Sequence, residues 1–169
     1  PMTRNGYTII FNGEIYNFKE LRKELQKNFN FKTYSDTEVL LFSYLKWKEK
    51  MFNKINGMFS FVIFNNNKKE LFFARDLFGQ KPLYFYNDKN QIIFSSEIKP
   101  ILVLKSFKKI QFEDKEILKY LHHNFYGDTK YTFFKDENQI EPGRFGFLKK
   151  NKLITKKIIY KKTNFTPNI

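Results

Sequence analysis

Phe11-Asn12-Gly13-Glu14-Ile15-Tyr16-Asn17 is the stretch on which the reading of the chain turns. Ahead of it, Tyr7-Thr8-Ile9-Ile10-Phe11 is an apolar, β-rich run that reads as a buried strand. Asn12-Gly13 is turn chemistry, so the strand is expected to end there. A strand end of this kind offers a side-chain amide, an unshielded backbone N–H and the Glu14 carboxylate within three residues. Such a corner suits a small ligand that carries both a carbonyl and an ammonium group. The competing reading is a strand-to-helix turn in which Asn12 and Asn17 only satisfy backbone groups. On these seven residues alone the structural reading is the stronger.

Working outward, Asn17 can cap a helix from Phe18 to Lys27, with Leu21 and Leu25 on one face and Lys19, Arg22 and Lys23 mostly on the other. Phe31 to Tyr34 is a short extended piece. Ser35 and Glu38 have capping-box spacing and open a helix through Trp47 that is apolar enough to lie between layers. The helix dipole favours a negative charge at Asp36, which can act as a cap, meet an ammonium group, or do both. Beyond the connector Met51 to Asn56, Gly57–Phe64 and Glu70–Arg75 form a hairpin around Asn65–Lys69. A charged loop, Arg75–Pro82, follows. Leu83–Tyr86 and Gln91–Phe94 make a second hairpin, and Ser95-Ser96-Glu97 opens a short helix. Asp114–His123 is a helix with Ile117, Leu118 and Leu121 as its apolar face. Tyr131–Phe134 reads as a strand, Glu141–Arg144 as a turn, and Phe145–Leu148 with Leu153–Tyr160 as a last hairpin. The pattern is an antiparallel sheet covered by helices.

At 169 residues, with 41% hydrophobic content and 22 Phe, the chain has the size and composition of one folded domain with a real core. The net charge of +14 invites a nucleic-acid reading. Only Arg4, Arg22, Arg75 and Arg144 are Arg, however, and the Lys residues are spread without blocks, which fits a solvated surface better. There is no Cys, hence no thiolate metal site or Cys nucleophile in these residues. His122 and His123 are adjacent and point different ways on a helix, a poor metal pair. No Gly-rich phosphate loop, bilayer-spanning run or signal peptide is visible. A start at Pro1-Met2 suggests an N-terminally incomplete chain.

Five blocks now stand in order: Asn12-Gly13-Glu14-Ile15-Tyr16-Asn17, Ser35-Asp36-Thr37-Glu38-Val39-Leu40, Gly57-Met58-Phe59-Ser60-Phe61, Arg75-Asp76-Leu77-Phe78-Gly79-Gln80-Lys81-Pro82-Leu83-Tyr84, and Ser96-Glu97-Ile98-Lys99. Each is weak alone. Together they closely resemble the glutaminase domain of glutamine-hydrolysing asparagine synthetases, over roughly Pro1 to Leu102 and more loosely at Pro142-Gly143. The resemblance implies an α+β class II glutamine amidotransferase with the N-terminal-nucleophile fold, a four-layer αββα sandwich of antiparallel sheets incomplete at its N-terminus. The domain would cover 1–160, with 161–169 a linker toward a synthetase domain.

By the same resemblance, the Asn12 side chain and the Gly13 N–H form an oxyanion hole, and Glu14 with Asp36 holds the α-ammonium of glutamine. The nucleophilic Cys and an Arg for the α-carboxylate are expected upstream, Arg4 being no convincing substitute. Arg75, Asp76, Lys81 and Glu97 are expected to be structural charges near the sheet edge. No metal or cofactor is expected in this domain; ATP and Mg²⁺ would act in the synthetase domain, where ammonia arriving through a tunnel amidates aspartate. This piece alone should bind glutamine poorly and hydrolyse nothing. The resemblance further implies a cytoplasmic protein with neither nucleic acid nor membrane as partner, and it leaves a homodimer open. Amidation of another carboxylate, and a non-catalytic binding module of the same fold, are the competing readings.

Overall fold

The computed structural model describes residues 1–104, 110–124, 130–149 and 152–160. In chain order the elements are β1 (Met2–Arg4), β2 (Tyr7–Ile15), α1 (Phe18–Leu25), α2 (Asp36–Trp47), a 3₁₀ helix (Lys48–Asn53), β3 (Gly57–Asn65), β4 (Glu70–Arg75), β5 (Tyr84–Asn87), β6 (Ile92–Ser95), α3 (Ile98–Leu104), α4 (Asp114–His123), β7 (Glu137–Gln139), β8 (Arg144–Lys149) and β9 (Lys152–Lys157). They build a six-stranded sheet in the order β1-β2-β3-β4-β8-β9 and a three-stranded sheet in the order β6-β5-β7. Every pairing is antiparallel.

Alternation along the central strands assigns the two faces of the large sheet. Ile9, Phe59, Phe61, Ile63, Phe72, Ala74 and Phe145 are buried together with Leu21 and Leu25 of α1 and Val39 to Phe42 of α2. Residues of opposite parity, Val62 and Phe73, join Leu83, Ile140, Phe85 and Phe94 between the sheets. Helix α3 packs on β5 and β6. The layers therefore follow the expected sandwich of helices and antiparallel sheets. The many phenylalanines fill the helix side: the Phe72 ring stacks on Tyr44 with centroids 4.5 Å apart and meets Phe147 at 5.1 Å.

The structure corrects several expectations. Strand β2 does not end at Asn12-Gly13; it continues to Ile15, because β3 offers a partner for all nine of its residues, Tyr7↔Asn65 through Ile15↔Gly57. Helix α1 stops at Leu25, and Asn17 makes no capping bond. Tyr131–Phe134 makes only isolated bridges; the strand is β7, a polar segment that pairs with β5. The apolar face of α4 is covered only in part by the described residues: Ile117 is half-buried, whereas Leu118 and Leu121 are exposed. The short β1, joined to β2 by a tight Asn5-Gly6 turn, was not expected. The expected linker 161–169 lies outside the described residues.

The capping box at α2 is half formed. Ser35 Oγ accepts the Thr37 N–H, whereas Glu38 does not return to Ser35. The Glu38 carboxylate is fully buried and accepts from Arg4 Nε (2.7 Å), Thr33 N (2.7 Å), Thr33 Oγ1 (2.7 Å) and Lys32 N (3.1 Å). It thus ties β1 and residues 32–33 to α2. Burial on its own would raise its pKa; the Thr33, Arg4 and Lys32 donors outweigh that and bring it down to about 2. A folded-state value below the ordinary 4.5 means stability that is complete above pH 4.5 and is lost as pH falls toward 2, worth about 3 kcal/mol. In urea titrations at a series of pH values, Glu38→Gln is expected to be less stable at pH 7 by about 3 kcal/mol and to lose the wild-type decline between pH 4.5 and 2. An unchanged decline would refute the assignment.

Candidate functional site

The direction of each backbone N–H along β2 follows from a few bonds. Phe59, opposite Gly13, gives both of its backbone groups to the other side: its carbonyl accepts Asp76 N–H (2.8 Å), and its N–H goes to the Asp76 carboxylate (3.3 Å). Gly13↔Phe59 is therefore a pair without mutual hydrogen bonds, and the Gly13 N–H points away from β3. Ile15, of the same parity, donates its N–H to Asp36 Oδ2 at 3.1 Å. Strand β1 covers this edge of β2 only from Tyr7 to Ile9. Among the described residues the edge from Phe11 to Ile15 is thus open except for Asp36.

Gly13 has φ +151°, and a Cβ built on it would lie 2.2 Å from the Met58 carbonyl oxygen. Gly57 mirrors it across the ladder, its Cβ position lying 2.1 Å from the Glu14 carbonyl oxygen. Two glycines let the ends of β2 and β3 cross at this distance. The Asn12 side chain lies on the face that looks toward the small sheet, beside a cavity of about 90 Å³ lined also by Ser60, Leu83, Ser95 and Ser96. It has no hydrogen-bond partner among the described residues. Its amide and the Gly13 N–H therefore flank one corner of the sheet, with Asp36 one step along the same edge.

Of the residues anticipated for the site, Asn12, Gly13 and Asp36 are brought together. Glu14 is exposed, and its carboxylate has no partner among the described residues. Asn17 serves the backbone, donating to Lys54 O (2.8 Å) and accepting Asn56 N–H (2.9 Å), which anchors the chain entering β3. Arg4 is committed to Glu38 and Thr3. Arg75 and Asp76 are buried where β4 leaves the sheet, and Glu97 is exposed. A cavity of about 280 Å³ opens beside Asp76, between Tyr16, Phe59, Phe78 and Tyr160. Burial, followed by the negative charge of Asp76, pushes the Tyr160 phenol above its ordinary value. Among the described residues no group of three or more His, Cys, Asp or Glu is placed to hold a metal ion, and no helix is long and apolar enough to cross a membrane.

A family model described as a glutamine amidotransferase domain matches residues 1–159. The chain belongs to this family. Among its relatives, asparagine synthetase [glutamine-hydrolyzing] 1 of Bacillus subtilis is 44% identical over 163 residues, 95% of this chain and 25% of the relative. A putative asparagine synthetase [glutamine-hydrolyzing] 2 of Methanocaldococcus jannaschii is 36% identical over 140 residues, 83% of this chain and 27% of the relative. This amidotransferase domain therefore spans about a quarter of the length of these curated relatives. The solved structure of glutamine phosphoribosylpyrophosphate amidotransferase from B. subtilis superposes with a TM-score of 0.65 at 18% identity, covering 94% of this chain and 30% of the other. That likeness establishes the fold, an N-terminal-nucleophile sandwich.

Sequence reasoning missed the clasp on Phe59 and the Asn17 bridge. Asp76 and Asn17 were both in view, but their partners are backbone groups of other strands, which no local pattern reveals. Gly13→Ala is expected to cost about 3 kcal/mol in urea denaturation, since the new methyl meets fixed backbone at an unfavourable φ. A loss below about 0.5 kcal/mol would show that the crossing is looser than described.

Proposed function

We propose that this chain is the glutamine-hydrolysing part of a longer asparagine synthetase, releasing ammonia in the cytoplasm for ATP-dependent amidation of aspartate. The observation that supports the reading most directly is the spacing on the open edge of β2. The Gly13 N–H, without a partner among the described residues, and the Asp36 carboxylate that caps Ile15 are two residues apart, about 7 Å along the strand. An extended glutamine side chain covers that span from its carboxamide to its α-ammonium. In this reading the carboxamide oxygen lies between Asn12 Nδ2 and the Gly13 N–H, and the α-ammonium meets Asp36, assisted by Glu14.

The nucleophile is a Cys carried upstream in the parent protein, with its own α-amine as base. Attack of its sulfur on the carboxamide carbon places negative charge on the oxygen, which the two donors stabilise as it develops. Expulsion of the nitrogen as ammonia leaves a thioester, which water cleaves to glutamate. Ammonia then passes to a synthetase domain that uses ATP and Mg²⁺. In this reading the chain contributes the oxyanion and ammonium sites and the Cys comes from upstream, so activity is expected of the full-length protein.

The test is glutamate release from glutamine by the full-length gene product, with aspartate and ATP present to read out asparagine. Asn12→Ala is expected to lower kcat by about 10²–10³ with little change in melting temperature. A full-length protein that releases no glutamate, or one that keeps its kcat without Asn12, overturns the proposal.

A further inference from the structure

Asp76 takes the place of a backbone carbonyl in the ladder that supports Gly13. The last regular pair of β3 and β4 is Ser60↔Arg75. One residue on, Asp76 donates its N–H to the Phe59 carbonyl at 2.8 Å, as an antiparallel pair requires. The return bond would run from the Phe59 N–H to the Asp76 carbonyl. That carbonyl is engaged elsewhere, accepting the N–H of Gly143 (2.7 Å) and Gly79 (3.1 Å). Asp76 Oδ2 receives the Phe59 N–H instead, at 3.3 Å. The main chain of β4 can therefore turn away into the Arg75–Pro82 loop while β3 stays paired one residue further.

The carboxylate is filled by amide donors. Oδ2 also accepts Lys81 N (3.0 Å), and Oδ1 accepts Phe78 N (3.1 Å) and Gln80 N (3.0 Å). The side chain is 2% exposed. An asparagine here would turn its NH₂ toward two N–H groups whichever way it flips. Arg75 holds the same loop through the carbonyls of Gly79 and Lys81 and ties it to the Ile140 carbonyl, and none of these bonds involves Phe59.

We propose that Asp76 is a positioning residue for glutamine hydrolysis: by clasping Phe59 from the β4 side it keeps the Gly13 N–H unpaired and aimed at the open edge of β2. The role rests on the amidotransferase reading above. It assigns a purpose to two of the sequence blocks, Gly57–Phe61 and Arg75–Tyr84, which otherwise have only a place in the fold.

The experiment compares Asp76→Asn and Asp76→Glu with Arg75→Lys in the full-length protein. Arg75→Lys loosens the loop and leaves the clasp. Both Asp76 variants are expected to lower kcat for glutamine hydrolysis by about 10–100-fold, a share of the oxyanion-hole effect, with KM within about twofold. Product formation from added ammonia is expected to stay at the wild-type level. Arg75→Lys is expected to lower the melting temperature at near-normal kcat. Amide hydrogen exchange supplies a readout independent of turnover: Phe59 exchange accelerates, and the Gly13 resonance moves, in the Asp76 variants only. Losses of kcat that track melting temperature in all three variants overturn the proposal, as does unchanged Phe59 exchange in Asp76→Asn. If the wild type hydrolyses no glutamine, the amidotransferase reading falls, and the exchange data still decide whether the clasp positions Gly13.

Discussion

From Phe11 to Ile15, strand β2 is hydrogen-bonded to β3 on one side, and among the described residues its other side is open except for Asp36. A buried sheet rarely leaves amide donors without partners, because each costs desolvation free energy. Here the bare edge is made tolerable by exposure at a corner and by Asp36, which takes the Ile15 N–H. Everything nearby serves to keep this edge straight without pairing it. Strand β3 supplies a full-length partner on the inner side, Gly13 and Gly57 allow the close crossing, and Asp76 fixes Phe59 where β4 departs. The helix side contributes the Phe-rich core that holds β2 and β3 flat against α2, and Glu38 ties β1 and residues 32–33 to that helix.

This arrangement divides the acidic residues by task. Glu38 and Asp76 are buried and saturated with donors, and their negative charge is spent on backbone geometry. Asp36 has one oxygen engaged by protein and one without a partner among the described residues. Glu14 is solvent-exposed. A ligand's ammonium group can compete for the last two and not for the first two. Net charge says nothing about this distinction; hydrogen-bond saturation does.

The secondary structure was largely legible where apolar periodicity was strong: α2, the β3–β4 hairpin, the β5–β6 hairpin, α4 and the β8–β9 hairpin lie where the pattern puts them. Asn-Gly shows the limit of local signals. The dipeptide occurs at Asn5-Gly6, Asn12-Gly13 and Asn56-Gly57, and only the first is a hairpin turn. The other two lie at or beside a crossing of strands, where glycine serves close approach, and only the partner strand decides between these uses. Strand β7 was invisible for a related reason. Glu-Asn-Gln has no strand signal, and Gln139 is buried because Arg75 reaches it from another element. For the site, the order of weak motifs pointed to Asn12, Gly13, Glu14 and Asp36. Which backbone groups stay unpaired is a property of the ladder and required the structure.

The placement of β8 next to β4 also has a consequence for how the chain assembles. Ala74 pairs with Phe145 across the whole stretch that forms β5, β6, α3, α4 and β7, whereas β1 to β4 are neighbours in sequence as well as in space. Loop-closure entropy grows slowly with length, so this long connection costs little stability and acts mainly on rate. Contact order predicts that β1–β4 with α1 and α2 forms first and that the β8–β9 hairpin docks after it. Until then the rings of Phe52 and Phe72 lack their partners Phe145 and Phe147. That interval exposes an aromatic surface beside an unpaired strand, a state prone to aggregation. Pulse-labelled hydrogen exchange would show it as late protection of β8 relative to β3, and simultaneous protection of the two strands would exclude this order.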